Sequence, residues 1–63
     1  AKRRPFSIAI GKLTKRKQDI ILLSFFLNMT NADIATLMDL AENTIHYHKT
    51  NALKELKELM QEH

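Results

Sequence analysis

Apolar residues recur at helical spacing between Lys15 and Asn28. Side chains three and four residues apart lie on the same face of a helix, so this spacing predicts a first helix with a wide apolar stripe. Thr14, which precedes the helix, is of a residue type that caps helix N-termini. The stripe consists of Ile20, Leu23, Phe26 and Leu27. Three further apolar residues fall beside or outside the stripe, and we expect part of this surplus to stay exposed: Ile21, Leu22 and Phe25.

The apolar pattern after Met29 predicts a short second helix. Thr30 or Asn31 suits its N-cap, and Asp33 would lie near the positive end of the helix dipole. Residues 39–41 then break the pattern. The residues expected to point inward are Ile34, Leu37 and Met38, with Ala35 on the adjacent face.

A long third helix is predicted from Glu42 to about Gln61, because no helix-breaking residue interrupts this stretch. Lysine and glutamate alternate along its expected outer face, at spacings that bring opposite charges together. Its apolar seam is expected to contain Ile45, Ala52, Leu53, Leu56 and Leu59 or Met60.

Residues 1–12 are predicted to form a basic N-terminal arm, and residues 13–63 a single helical domain. Within the arm, Phe6, Ile8 and Ile10 alternate as in a strand, but the chain offers no second strand for pairing. The same residues would equally suit one helical turn packed on the next helix, and the sequence leaves both conformations open. The predicted fold class is all-α: a three-helix or four-helix bundle that contains a helix-turn-helix and ends in a long C-terminal recognition helix.

Basic residues are concentrated at the start of the chain, whose net charge is +3. No acidic residue interrupts this cluster, which suits contact with phosphates because each neutralised phosphate releases counterions. A solvated arm would have the same composition. The absence of an initial methionine leads us to expect a fragment of a longer protein. The clustered residues are Lys2, Arg3, Arg4, Lys12, Lys15, Arg16 and Lys17.

The sequence offers little for catalysis, metal binding or membrane insertion. It has no cysteine and a single glycine, which argues against thiolate sites and glycine-rich phosphate loops. His46 and His48 are two residues apart, and on a helix this spacing turns them about 200° away from each other. The apolar run from Ile20 to Leu27 is too short to span a membrane. We therefore expect a binding module without an enzymatic activity, cofactor, metal or small-molecule substrate.

The window from Asn31 to Thr50 meets the requirements of a helix-turn-helix. Ala35 supplies the small residue needed where the two helices cross. Asp39 stands in the turn, where a residue must tolerate positive φ. Ile45 is the apolar anchor near the start of the recognition helix. The remaining apolar positions of the motif are filled by Ile34, Met38 and Leu40.

Outward positions near the start of the recognition helix are the expected readers of base edges in the major groove. A second set is expected to contact phosphates, which position a protein on DNA without reading its sequence. His48 is expected to be a partly buried packing residue. The expected base readers are Glu42, Asn43, His46, Tyr47 and Thr50. The expected phosphate contacts are Thr30, Asn31, Thr44, Lys49, Arg16 and Lys17.

The run from Leu13 to Leu56 resembles region 4 of the sigma-70 family of RNA polymerase sigma factors, with no gap needed. Three positions depart from the family pattern: Ala41 lacks a capping side chain, Lys49 stands where leucine is usual, and Asn28 replaces a turn glycine. The matching residues are Leu13, Arg16, Ile20-Ile21-Leu22-Leu23, Phe25-Phe26, Thr30, Asp33-Ile34-Ala35, Thr44-Ile45 and Ala52-Leu53-Lys54-Glu55-Leu56.

This resemblance implies recognition of a promoter −35 element together with docking on RNA polymerase. Double-stranded promoter DNA and the β flap of the polymerase core are then the expected partners, and no membrane is expected. The implied location is the bacterial cytoplasm, at the nucleoid. The candidates for contact with the polymerase are Ile21, Leu22 and Phe25.

Two alternatives remain open at this point. The segment Thr44-Ile45-His46-Tyr47-His48 is similar to the Thr-Val-Lys-x-His segment of LuxR-type regulators, although the Phe25-Phe26 pair and the uninterrupted last helix favour the sigma family. An alternative of another class is a protein–protein module, which would pair with a partner helix through the last helix. The residues of that seam are Leu53, Leu56, Leu59 and Met60.

Overall fold

The computed structural model describes residues 5–61, and these residues form helices joined by short turns, without a strand. The all-α prediction is confirmed, and of the two bundles considered the structure has the four-helix one. The last two helices form the predicted helix-turn-helix. The helices are α1 (Phe6–Gly11), α2 (Lys15–Ile21, continued by a π-helical turn over Leu22–Phe26), α3 (Asn31–Met38) and α4 (Glu42–Met60).

Helix α1 occupies most of the segment predicted as an arm. Of the two conformations left open for this segment, the structure has the helical one and not the strand. Ala9 is fully buried and Ile10 nearly so, in a core cluster that also contains Ala52 of α4. Residues 6–11 therefore belong to the folded body. Residues 1–4 of the predicted arm lie outside the described part of the chain.

Helix α2 begins as predicted, at a capping threonine. Thr14 has an extended backbone, and its side-chain oxygen accepts a hydrogen bond from the Lys17 backbone N–H at 3.4 Å. The helix changes to π-helical geometry at Leu22, where the carbonyl oxygen accepts from the N–H of Leu27 at 3.3 Å. A π turn contains more residues than an α turn, so it rotates the residues after it around the helix axis.

At the π turn, the buried apolar stripe predicted for the first helix is wrong. Phe26 is 60% exposed and Leu27 66% exposed, although α-helical spacing placed both on the buried face. Ser24 is buried instead. The aromatic ring of Phe26 is partly covered by Phe6 of α1, with which it packs edge to face at a centroid distance of 5.9 Å.

The turn between α3 and α4 has the conformation that the sequence predicts. Thr30 caps α3 by accepting from the Asp33 N–H at 3.1 Å. Asp39 ends the helix in the left-handed region, at φ 56° and ψ 48°. The N–H of Leu40 then donates to the carbonyl of Ala35 at 3.0 Å, which makes this a Schellman-type C-cap.

The core consists of two clusters, and adjacent residues of α2 contribute to both. Ile20 packs in a cluster of the helix-turn-helix, and Ile21 in a cluster with α1 and the second half of α4. The first cluster contains Ile20, Ile34, Ala35 and Ile45. The second contains Ala9, Ile10, Leu13, Ile21, Ala52 and Leu56, with Leu59 and Met60 packed against it.

In α3 and α4, two further residues expected to point into the core are exposed. Leu37 of α3 is 63% exposed, and Leu53 of α4 is 42% exposed. Leu37 is three residues after the buried Ile34, and Leu53 directly follows the buried Ala52. In both helices the buried stripe is therefore narrower than predicted, as expected of a body with few elements to cover each helix.

Candidate nucleic-acid interface

The first half of α4 presents an exposed polar face, anchored by a buried residue. Ile45 is completely buried against α2 and α3, which fixes the rotation of α4 about its own axis. At 100° per residue, Asn43, Tyr47 and Thr50 lie within about 60° of one another on the side opposite Ile45. All five expected base readers are exposed: Glu42, Asn43, His46, Tyr47 and Thr50.

Three of the expected phosphate contacts lie where α3 begins beside α4. The ammonium of Lys49 donates to the side-chain oxygen of Asn31 at a distance of 3.5 Å. The same ammonium lies 5.3 Å from the ring centroid of Phe25, in cation–π geometry. Thr30 precedes Asn31 and caps α3. Because backbone N–H groups at a helix start favour anions, this edge is suited to a phosphate.

The other expected phosphate contacts are arranged differently. Arg16 is exposed near the start of α2, and Thr44 is half-buried in the first turn of α4. Lys17 is half-buried and forms a salt bridge with Glu55 of α4. The structure thus gives Lys17 a carboxylate partner, and this salt bridge links α2 to α4.

The polymerase-docking candidates separate into one buried and two exposed residues. Ile21 is 1% exposed, so the expectation that it contributes to a surface is wrong. The reason is that Ile21 packs in the core cluster formed with α1 and the second half of α4. Leu22 and Phe25 are exposed, as expected.

Leu22 also lines an open groove between α2 and α3, with a volume of about 370 Å³. Its lining is mainly apolar, and sequence reasoning missed the contribution of α3, because Leu37 and Met38 were expected to point into the core. Their i, i+1 spacing gave no signal that they border a surface. The groove residues are Asp19, Leu22, Leu23, Leu37 and Met38.

Sequence reasoning also missed Lys54. It is exposed, four residues after Thr50 and seven after Tyr47, and therefore continues the outward stripe of α4. Helical geometry could have identified Lys54 from the sequence. It is nine residues after the buried Ile45, a spacing that places it on the opposite side of the helix. The stripe thus ends in a cation.

His48 is half-buried, as expected of a packing residue. Its Nδ1 atom is buried without a hydrogen-bond partner, and its ring lies 5.7 Å from that of Tyr47. Among residues 5–61, no group of three histidine, cysteine or acidic side chains is arranged to hold a metal ion. In the same part of the chain, no helix combines the length and apolar character needed to cross a membrane.

The seam expected to pair with a partner helix is largely used inside the domain. Leu56 is buried, and Leu59 and Met60 pack against the same core cluster. Only Leu53 of this seam is exposed. The structure therefore gives little support to a protein–protein module that acts through the last helix.

The comparison with known families agrees with this geometry. The family model for sigma-70, region 4, matches residues 6–56, a stretch that includes α1 as well as the helix-turn-helix and most of α4. No curated protein and no solved structure gives a significant match. A DNA-binding function in transcription follows from the family match, and it fits the exposed polar face of α4. The chain belongs to the sigma-70 region 4 family.

Proposed function

We propose that the chain recognises a promoter −35 element through α4 and docks on the β flap of RNA polymerase. The observation that carries the proposal is the exposed polar face of α4. Side chains at the start of a recognition helix reach base edges when that helix enters the major groove. Such a role belongs in the bacterial cytoplasm, at the nucleoid.

The exposed side chains of α4 have chemistry that distinguishes bases. The amide of Asn43 can bond to N6 and N7 of adenine together, and the carboxylate of Glu42 can accept from N4 of cytosine. His46 can donate to guanine. Tyr47 and Thr50 lie further along α4, where they would contact the neighbouring bases or the wall of the groove.

Phosphate contacts on both sides of the groove would hold α4 in place. On one side, Lys49 and Asn31 lie together beside the start of α3. Thr30 and Thr44 add hydroxyl groups near the N-termini of α3 and α4. Arg16 contributes an exposed cation on α2. Lys17 is the weakest candidate of this set, since it already pairs with Glu55.

The groove between α2 and α3 supports docking on the polymerase. Leu22 and Leu37 are exposed apolar side chains on its two walls. Leu37 and Asn31 are six residues apart on α3 and so point about 120° away from each other. A partner held at Leu37 would therefore leave the phosphate-contacting edge at Asn31 accessible.

The DNA part of the proposal is tested by selecting the preferred sequence from a pool of random duplexes. We expect the chain to enrich a defined motif, and the Asn43→Ala and His46→Ala variants to lose selectivity at one position each. Glu42→Ala should also change the motif. The matched control is Glu58→Ala, an exposed glutamate on the same helix. If the chain enriches no motif, or if the variants enrich the unchanged one, the base-reading assignment is wrong.

The docking part is tested by binding to bacterial core RNA polymerase, with and without its flap. We expect binding that requires the flap and that is weakened at least tenfold by Leu22→Glu or Leu37→Glu. The control is Leu53→Glu, which places the same charge at an exposed leucine of α4. Equal binding to the flap-deleted polymerase would overturn the docking proposal and leave the DNA proposal standing.

A further inference from the structure

Lys49 is half-buried, and the two contacts of its ammonium in the described part of the chain are with uncharged side chains. Its contacts are the side-chain oxygen of Asn31 at 3.5 Å and the ring of Phe25 at 5.3 Å from the centroid. By contrast, Lys15 and Lys17 each pair with a carboxylate. Among residues 5–61, no acidic side chain lies within 4 Å of the Lys49 ammonium, so its charge is not neutralised by the described part of the chain.

Both neighbours restrict the position of the charge without cancelling it. The face of an aromatic ring attracts a cation through the ring quadrupole. An amide oxygen accepts a hydrogen bond from one of the three N–H groups of the ammonium. A free lysine side chain has four rotatable bonds, and immobilising it on DNA is opposed by their entropy. Phe25 and Asn31 reduce that loss because they already restrain Lys49 in the absence of DNA.

We infer that Phe25 is a positioning residue for DNA binding, which acts by holding Lys49 at the phosphate-contacting edge. The inference rests on the proposed function and deepens it. It assigns part of the affinity for DNA phosphates to a side chain that lies outside the groove-reading face. Phe25 is half-exposed on the π turn, and the turn presents its ring to α4. The adjacent Phe26 points elsewhere and packs on Phe6.

The test is a double-mutant cycle on the affinity of the chain for a 20-base-pair duplex of arbitrary sequence, measured over a range of salt concentrations. Loss of one phosphate contact through Lys49→Met should lower the salt slope by about 0.9 and weaken binding about eightfold at 0.1 M salt. Phe25→Leu keeps an apolar side chain but removes the ring. It should weaken binding about two- to fivefold when Lys49 is present and have no effect in the Lys49→Met background.

Two further variants separate positioning from a structural role. Phe25→Tyr keeps the ring face and should bind like the unaltered chain. Phe26→Leu is the matched control, since it removes the neighbouring exposed ring, which contacts Phe6 and not Lys49. Circular dichroism of each variant checks that its helices are retained.

The outcomes distinguish this inference from the function on which it rests. If the unaltered chain binds duplex and Phe25→Leu leaves the affinity unchanged, tightens it, or weakens it equally in both Lys49 backgrounds, the positioning role is wrong while DNA binding stands. If the unaltered chain fails to bind any duplex at low salt, the proposed function is wrong and the positioning role falls with it.

Discussion

Lys17 near the start of α2 and Glu55 in the second half of α4 form a salt bridge that joins residues 38 positions apart in the chain. The lysine side chain is 21% exposed and the glutamate 39%. This pair links α2, in the N-terminal half of the domain, to the recognition helix α4. By comparison, the pair between Lys15 and Asp19 lies within α2, and its lysine is 82% exposed.

We expect the long-range pair to contribute more to stability than the local one. A double-mutant cycle with Lys17→Met and Glu55→Gln, measured by urea unfolding, should give a coupling free energy of about 0.5–1 kcal/mol. The control cycle, with Lys15→Met and Asp19→Asn, should give about 0.3–0.5 kcal/mol, the usual range for an i, i+4 pair. Equal coupling free energies in the two cycles would show that the salt bridge between α2 and α4 contributes no more to stability than the one within α2.

Local signals in the sequence predicted the helix boundaries well. Thr14 and Thr30 were recognised as caps because their hydroxyl groups satisfy the first free N–H groups of a helix. Asp39 was recognised because few other side chains tolerate the left-handed region. These features depend on one or two neighbouring residues, so they can be read without knowledge of the fold.

Packing around α2 could not be predicted in the same way. The spacing of apolar residues gave no signal for the π turn over Leu22–Phe26, and Phe26 is exposed against the expectation from α-helical spacing. The burial of Ile21 depends on a cluster that α1 and the second half of α4 build together, and the sequence left the conformation of α1 undecided. The exposed polar face of α4 was easier to predict, since a single anchor, Ile45, determines the orientation of all residues on a regular helix.

The recognition helix begins without a side-chain cap. Ala41 has the extended backbone of an N-cap residue, at φ −71° and ψ 148°, but no side chain that can accept a hydrogen bond. Ala41→Ser should therefore raise the free energy of unfolding by about 1 kcal/mol. The complementary variant is Thr30→Ala, which removes the existing cap of α3 and should lower the free energy of unfolding by a similar amount. If Ala41→Ser leaves urea unfolding unchanged, the backbone at residue 41 is not that of a cap.

The left-handed conformation of Asp39 is a second site where stability can be gained. Glycine adopts this region without a steric penalty, and the negative charge of Asp39 lies at the unfavourable end of the α3 dipole. Asp39→Gly should stabilise the domain by about 1 kcal/mol, as measured by thermal or urea unfolding. Asp39→Ala separates the two causes, because it removes the charge and keeps the strain.

The control for this prediction is Ala32→Gly, at an exposed position of α3 with ordinary helical geometry. This substitution should destabilise the domain by up to about 1 kcal/mol, since glycine loses more backbone entropy in a helix. Stabilisation by Asp39→Ala as large as that by Asp39→Gly would assign the effect to charge and contradict the strain argument.

The completely buried Ile45 should be the residue through which stability and DNA binding are most closely linked. Ile45→Val removes one methylene and should lower stability by about 0.5–1.5 kcal/mol while the domain still binds DNA. Ile45→Ala should lower it by about 2–5 kcal/mol, which is comparable with the total stability of so small a domain, so both the helical circular dichroism and DNA binding should be lost. Leu53→Ala, at an exposed position of the same helix, should change stability by less than about 0.5 kcal/mol. A folded Ile45→Ala domain that binds DNA normally would show that the orientation of α4 does not depend on this anchor.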